Sequence, residues 1–253
     1  MLNLYDILSY MTEEFPDYFT NNEFAEPLLK CATNKWNNTK NNDFNNLIPS
    51  IEILCSLLKV SGNLISPYCE EFFQRSIKII EEIINNFQVY FYVIKAHNND
   101  FNYLEKDLIS KCIDFISVIC ITHGEGINNS INKSKIVDLL LTLVSVYCKL
   151  KQVNDYELKH YVFALIGDLT KSHPSVLKNY LEDLIIILTH HLECPANLNK
   201  YDSVEISKLH VCNNTCWTIG LFAIAFQEQI GKYIDAIMMK LMKILCVTRV
   251  TIP

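Results

Sequence analysis

Apolar residues recur along this chain with the period of an α-helix. Leu4, Ile7, Leu8 and Met11 follow the i, i+3, i+4, i+7 spacing that puts side chains on one helical face. Leu108, Cys112, Phe115, Ile116 and Ile119 form a second such stripe, and Leu158, Val162, Leu165, Ile166 and Leu169 a third. The pattern predicts helices near 2–14, 23–34, 47–60, 67–86, 103–121, 133–148, 155–171, 175–190, 207–226 and 230–246. Ser66 before Pro67 reads as a helix start, a cap followed by proline in the first turn, and Pro174 reads as another. No run alternates as a half-buried strand does. With Gly at 6 and Pro at 7 in 253 residues, corners are too few for a sandwich or barrel, which turns every 8–12 residues or so.

These helices group as hairpins. The second helix of each pair carries an acid or amide partway along: Asp6, Glu52, Asp114, Asp168 and Asn213, at intervals of roughly 45–62 residues. Two-helix repeats of the HEAT type run about 40–47 residues, and the longer intervals coincide with polar stretches. The expected fold is all-α, a right-handed α-solenoid of HEAT repeats built from antiparallel helix pairs. It forms a single domain over 1–253 with about five hairpins and Asn-rich insertions near 35–46, 87–102 and 122–132. In a solenoid each repeat buries its apolar face against its neighbours.

Charge narrows the partners. There are 22 basic and 28 acidic residues, a formal charge of −6 and a pI near 5.6. Nothing forms a phosphate-binding surface, so nucleic acid is not the expected ligand, and a basic partner is. The ten cysteines sit mostly inside apolar helical runs, and Met1-Leu-Asn-Leu-Tyr-Asp lacks the basic start of a signal peptide. Reduced thiols in the cytosol or nucleus are the reading. Leu209–Gln227 carries no full charge, but His210, Asn213, Asn214 and Thr215 interrupt its first third, so a buried helix is expected there and no membrane. The 25 asparagines cluster between helices, as in Asn41-Asn42 and Asn45-Asn46, and read as loop padding.

Catalytic patterns are missing from the sequence. Gly124-Glu-Gly126 is too short for a phosphate loop. His190, His191 and Cys194 lie at a helix end, where polar caps are ordinary, and Cys212 and Cys216 have no second pair facing them. No enzyme, metal or cofactor is expected. The carboxylates carry more. Asp6 and Glu13 share one face with Tyr10 between them; Asp114 lies off its helix's apolar stripe, with Asp107 two turns before it; Asp168 lies on the flank of its stripe. Each alone is a solvated helix face. Recurring in stacked repeats, they would line up as an acidic track on the inner wall. Trp217, with Asn213 one turn before and Gly220 after, is an indole left partly open, suited to the stem of Lys or Arg.

Phe163-Ala-Leu-Ile-Gly-Asp-Leu-Thr-Lys171 and Val211-Cys-Asn-Asn-Thr-Cys-Trp-Thr-Ile-Gly220 resemble consecutive inner helices of transportin, the nuclear import receptors of the importin-β superfamily. Leu4-Tyr-Asp-Ile-Leu8 and Ser66-Pro-Tyr-Cys-Glu-Glu-Phe-Phe-Gln-Arg75 resemble earlier segments of that family, in the same order. The resemblance runs over essentially the whole chain and implies a piece of the C-terminal arch. It implies binding of cargo proteins through extended basic signals that end in proline–tyrosine, with release by the GTPase Ran, passage by nucleoporins, and shuttling between cytoplasm and nucleus for the full-length protein. Carried over by position, Asp6 and Glu13 match acids that meet the signal's basic residue. Asp114, Asp168, Asn213 and Trp217 match residues lining the site for its N-terminal portion. Ile121 and His160 stand where the family has polar or acidic contacts, and Ser110 where it has an apolar one. His160 would add charge at mildly acidic pH. The rival expectation is a general HEAT scaffold that holds folded proteins without reading a signal peptide.

Overall fold

The computed structural model describes residues 4–20, 22–93, 103–149, 156–193 and 203–250. Among the described residues there is no β-strand. The α-helices are α1 (Leu4–Glu14), α2 (Pro16–Thr20), α3 (Asn22–Asn38), α4 (Phe44–Val60), α5 (Gly62–Ile65), α6 (Cys69–Val93), α7 (Tyr103–His123), α8 (Asn128–Lys133), α9 (Ile136–Lys149), α10 (Tyr156–Ser172), α11 (Pro174–Leu177), α12 (Leu181–His190), α13 (Ser203–Phe226) and α14 (Ile234–Val250). Each of the ten predicted intervals holds one of the longer helices. Ser66–Pro67 falls in a 3-10 turn, Ser66–Tyr68, just ahead of α6. Pro174 does open a helix, but a further 3-10 turn, Lys178–Tyr180, separates α11 from α12. Near 122–132 the chain forms a 3-10 turn, Gly124–Ile127, and α8. Ile127 and Ile131 are buried there, and Ser130 Oγ donates to Glu70 Oε1 at 2.6 Å.

The chain divides into two compact units, Met1–Ser134 and Lys135–Pro253. In the first, α4 lies between α1 and α7 and touches both, while α3 backs α4 and α6 backs α7. Neighbours on several sides explain why α4 is apolar nearly all round, with Leu47, Ile51, Ile53, Leu54, Leu57 and Leu58 buried. Trp36, Phe72 and Phe115, from α3, α6 and α7, meet edge-on or tilted with ring centroids 5.5–6.4 Å apart. Arg75 lies over the Trp36 ring, 4.4 Å from its centroid. Its guanidinium donates to the carbonyls of Trp36 and Thr39, the latter at 2.6 Å. It thereby adds side-chain donors to carbonyls at the end of α3, where intrahelical donors run out.

The second unit repeats the scheme. α10 packs along α13, α9 meets α10, and α12 contacts both α13 and α14. Leu158, Val162, Phe163, Leu165, Ile166 and Leu169 of α10 are buried, as are Val211, Cys212, Ile219, Phe222 and Phe226 of α13. In both units the second helix of one pair stacks on the second helix of the next, α1–α4–α7 and α10–α13. This is solenoid packing, and the fold is an all-α solenoid of helix pairs. Val204–Cys246 is long and apolar enough by composition to cross a bilayer; in the structure its α13 portion packs on α10, and a 3-10 segment, Gln227–Tyr233, divides it from α14.

Candidate functional site

In the first unit, α1, α4 and α7 enclose a cleft of about 310 Å³ lined by Ser9, Tyr10, Glu13, Ile51, Glu52, Cys55, Ser56, Lys59, Lys111 and Asp114. Stacked helices bring these positions together. Ser56 Oγ donates to Glu13 Oε1 at 3.2 Å, so the 2.8 Å contact between Ser9 and Ser56 has Ser9 as donor. A two-hydroxyl relay thus orients Glu13, which is otherwise exposed to solvent. Lys111 Nζ donates to Glu52 Oε1 at 2.7 Å, each side chain about one-third exposed. Asp107, one turn before Lys111, has its carboxyl pushed up first by burial, with Lys111 pulling it down and Glu52 pushing it up. Burial raises the Cys55 thiol to about 11, so it stays protonated and is no nucleophile.

Glu13 and Asp114, both expected from sequence, therefore line the same cleft. Asp6 lies in α1, but its side chain is outside the described residues. Glu52, noted only as one of the recurring acids, lines the cleft too. Sequence reasoning missed Lys59, Lys111 and Ser56. The expected wall was acidic; the observed cleft interleaves carboxylates with ammonium groups. Lys111 sits one helical turn from Asp114, a signal that its charge would share that face.

In the second unit the expected residues lie on α10 and α13. Trp217 is 42% exposed, and its ring lies directly across Gly167. A Cβ placed on Gly167 would stand 2.2 Å from Trp217 Cζ3. Only glycine lets the indole approach α10 this closely, and the fit leaves one ring face to solvent. Asp168 follows Gly167 and is half-buried, and Asn213 is exposed one turn before Trp217. Thr218 Oγ1 donates to Phe163 O at 2.9 Å, locking the register of the two helices. Gly167 and Thr218 were not foreseen as the supports of Trp217.

Beside this patch, Asn214 Nδ2 donates to His160 O at 2.9 Å and meets His160 Nδ1 at 2.8 Å, and the His160 ring lies 5.3 Å from that of His210. The expectation that His160 adds charge at mildly acidic pH is corrected here. Burial, then the neighbouring His210, push its pKa down, against a weaker pull from a backbone hydrogen bond at His210. Its protonation is therefore shifted to lower pH than that of a free imidazole. Burial also lowers His191, to about 4, and its Nδ1 bonds to Ile187 O at 2.9 Å. Cys194, grouped with it in the sequence, lies outside the described residues. Cys216 is lowered to about 7, chiefly by a hydrogen bond with Cys212. Among the described residues no three His, Cys, Asp or Glu side chains are grouped to hold a metal ion.

No family model matches the chain. Over 250 residues, 97% of its length, it is 25% identical to Transportin-1 of Homo sapiens, covering 25% of that protein. It is 25% identical over 237 residues to Transportin of Dictyostelium discoideum, covering 94% of this chain and 23% of the relative. It is 20% identical over 249 residues to Importin subunit beta-2 of Schizosaccharomyces pombe, covering 97% and 25%. The chain spans about a quarter of the length of the curated relatives it matches.

Proposed function

Starting from a chain that is transportin-like over 97% of its length, we propose that it serves nuclear import, as part of a receptor that binds basic proline–tyrosine-type localisation signals of cargo proteins. The observation that carries this reading is the recurrence of carboxylates on stacked second helices, with an indole held open beside one of them. Glu13 and Asp114 line the cleft of the first unit. Asp168 follows the glycine on which Trp217 rests. An open indole accepts the stem or cation of Lys or Arg, and carboxylates accept its donors. Ran, nucleoporins and shuttling between cytoplasm and nucleus belong to this proposal for the longer protein that its relatives represent.

Expected affinity is modest. A charge-assisted hydrogen bond contributes about 1.5–3 kcal/mol, an exposed ion pair only about 0–1 kcal/mol, and an extended signal loses entropy on ordering. Binding should be micromolar or weaker and should fall with salt. The test is fluorescence anisotropy of a labelled basic proline–tyrosine peptide at two salt concentrations, against the native chain and an Asp168→Lys/Trp217→Ala variant verified as folded by circular dichroism. Salt-sensitive binding that the variant loses is the expected result. Tight, salt-insensitive binding of an acidic peptide would sink the mechanism. One observation favours the rival reading of a general interaction scaffold: Glu52 already pairs with Lys111. On that reading the double substitution leaves partner capture unchanged.

A further inference from the structure

We propose that α1 of one copy of this chain docks against α14 of another, a head-to-tail contact that completes a helix pair and links copies in series. The inference goes beyond the peptide reading above and does not depend on it.

Both helices leave open a face that their spacing marks for burial. Leu4, Ile7 and Met11 repeat at i, i+3 and i+7 along α1, yet they are 67%, 44% and 44% exposed. α1 meets α4 through its other side, where Thr12 is buried and Ser9 reaches Ser56. On α14, Ile237 is buried, while Ile234, Met238 and Met242 repeat at i, i+4 and i+8 and are half exposed, with Met239 beside them. A helix that is apolar nearly all round belongs among neighbours on several sides, as α4 does, and α14 turns much of its apolar surface to solvent. Its methionines suit a partner of irregular relief, because the thioether chain adapts to what it meets.

The pairing scheme points to the occupant. α3 backs α4 and α6 backs α7, a first helix against a second. α14 stacks on α12, which places it in the row of first helices, and its main contacts are with α12 and the preceding 3-10 segment rather than with a second helix. α1 is a second helix whose main contacts are with α4 and the five-residue α2, and among the described residues no long helix backs it as α3 backs α4. Each supplies the half that the other lacks. Charge agrees with this. Glu13, Glu14 and Asp17 of α1 and α2 are exposed, and neither helix holds a Lys, Arg or His. The described side chains of α14 include Lys240 and Lys243 against Asp235; Lys240 also reaches Glu193 at 3.0 Å, and Lys243 is exposed. Two α1 faces would set carboxylates against each other, so opposite charge favours α1 on α14 over α1 on α1. Such a contact uses different surfaces on the two copies, and a dimer keeps one open α1 and one open α14.

Sedimentation velocity of the whole chain tests this, with Ile7→Gln/Met11→Gln to close the α1 face and Met238→Gln/Met242→Gln to close the α14 face. The native chain, 29.3 kDa as a monomer, should pass to dimers and larger species between about 5 and 200 μM, as a small interface dictates. Each variant should associate at least about tenfold more weakly, having lost two apolar side chains from the contact. Mixed one to one, the variants should form a dimer that grows no further, because only one intact α1 meets one intact α14. All four positions are exposed, so native helical circular dichroism is expected; should a double variant misfold, the single Met11→Gln or Met242→Gln takes its place. A native chain that stays monomeric across this range overturns the contact. So does an α1 variant that associates as the native chain does, which would mean that α14 pairs with itself. Neither result bears on the import reading.

Discussion

Replacing Gly167 with alanine tests the geometry that presents Trp217. The new Cβ would stand 2.2 Å from Trp217 Cζ3, 2.7 Å from Cε3 and 2.9 Å from Thr218 Oγ1. Carbon atoms rest at about 3.5–4.0 Å, so the ring must move by roughly 1.3 Å or more. Overpacking of this kind costs about 1–3 kcal/mol. Against it stands the helix propensity of alanine, about 1 kcal/mol better than glycine. The net expectation is a loss of about 0–2 kcal/mol, with the indole pushed outward because its free face already meets water. Two readouts separate these effects. Urea unfolding reports the stability. Acrylamide quenching reports the ring, since Trp36 is fully buried and Trp217 is the accessible indole. Quenching should rise in Gly167→Ala, and peptide binding should weaken as it does in Trp217→Ala. A variant about 1 kcal/mol more stable, with unchanged quenching, would show that the indole does not depend on the bare backbone at Gly167.

Other outcomes follow from the same contacts. Arg75→Ala removes the guanidinium from the Trp36 ring and from two carbonyls at the end of α3; a loss of about 2–3 kcal/mol is expected in urea melts, and Arg75→Lys should restore little because an ammonium lacks the planar fork. His191 has a folded pKa of about 4 against 6.5 for the free side chain. The unfolded chain therefore binds more protons between those values. Its contribution is fully present above pH 6.5 and is lost as pH falls towards 4, by up to about 3 kcal/mol. His191→Gln should flatten thermal stability over that window, and an unchanged slope would refute the assignment. Ser56→Ala removes the donor to Glu13 and should weaken a basic peptide by up to about fivefold while leaving the helical circular dichroism intact.

Helical period alone located α7 and α10, because each keeps an apolar stripe against its neighbours at 3.6 residues per turn. Glu13, Asp114, Asp168 and Trp217 were legible as polar or open positions set against those stripes. Helix ends were less so: Lys178–Tyr180 and Gln227–Tyr233 are 3-10 turns too short to carry a period of their own. α13 gave the weakest reading, since apolar residues surround it and no single stripe marks which face meets α10.

The sequence by itself determined where the longer helices lie, which faces of α7 and α10 are buried, and that an acid or amide recurs on each second helix. These depend on interactions within a few residues, and spacing encodes them directly. Only the tertiary structure decided that Lys111 pairs with Glu52, that Arg75 caps α3 over Trp36, and that Trp217 rests on Gly167. Each joins residues from different helices. Their meeting is set by how far one helix slides and rolls against the next, and that register comes from the summed packing of whole faces rather than from the spacing along either helix.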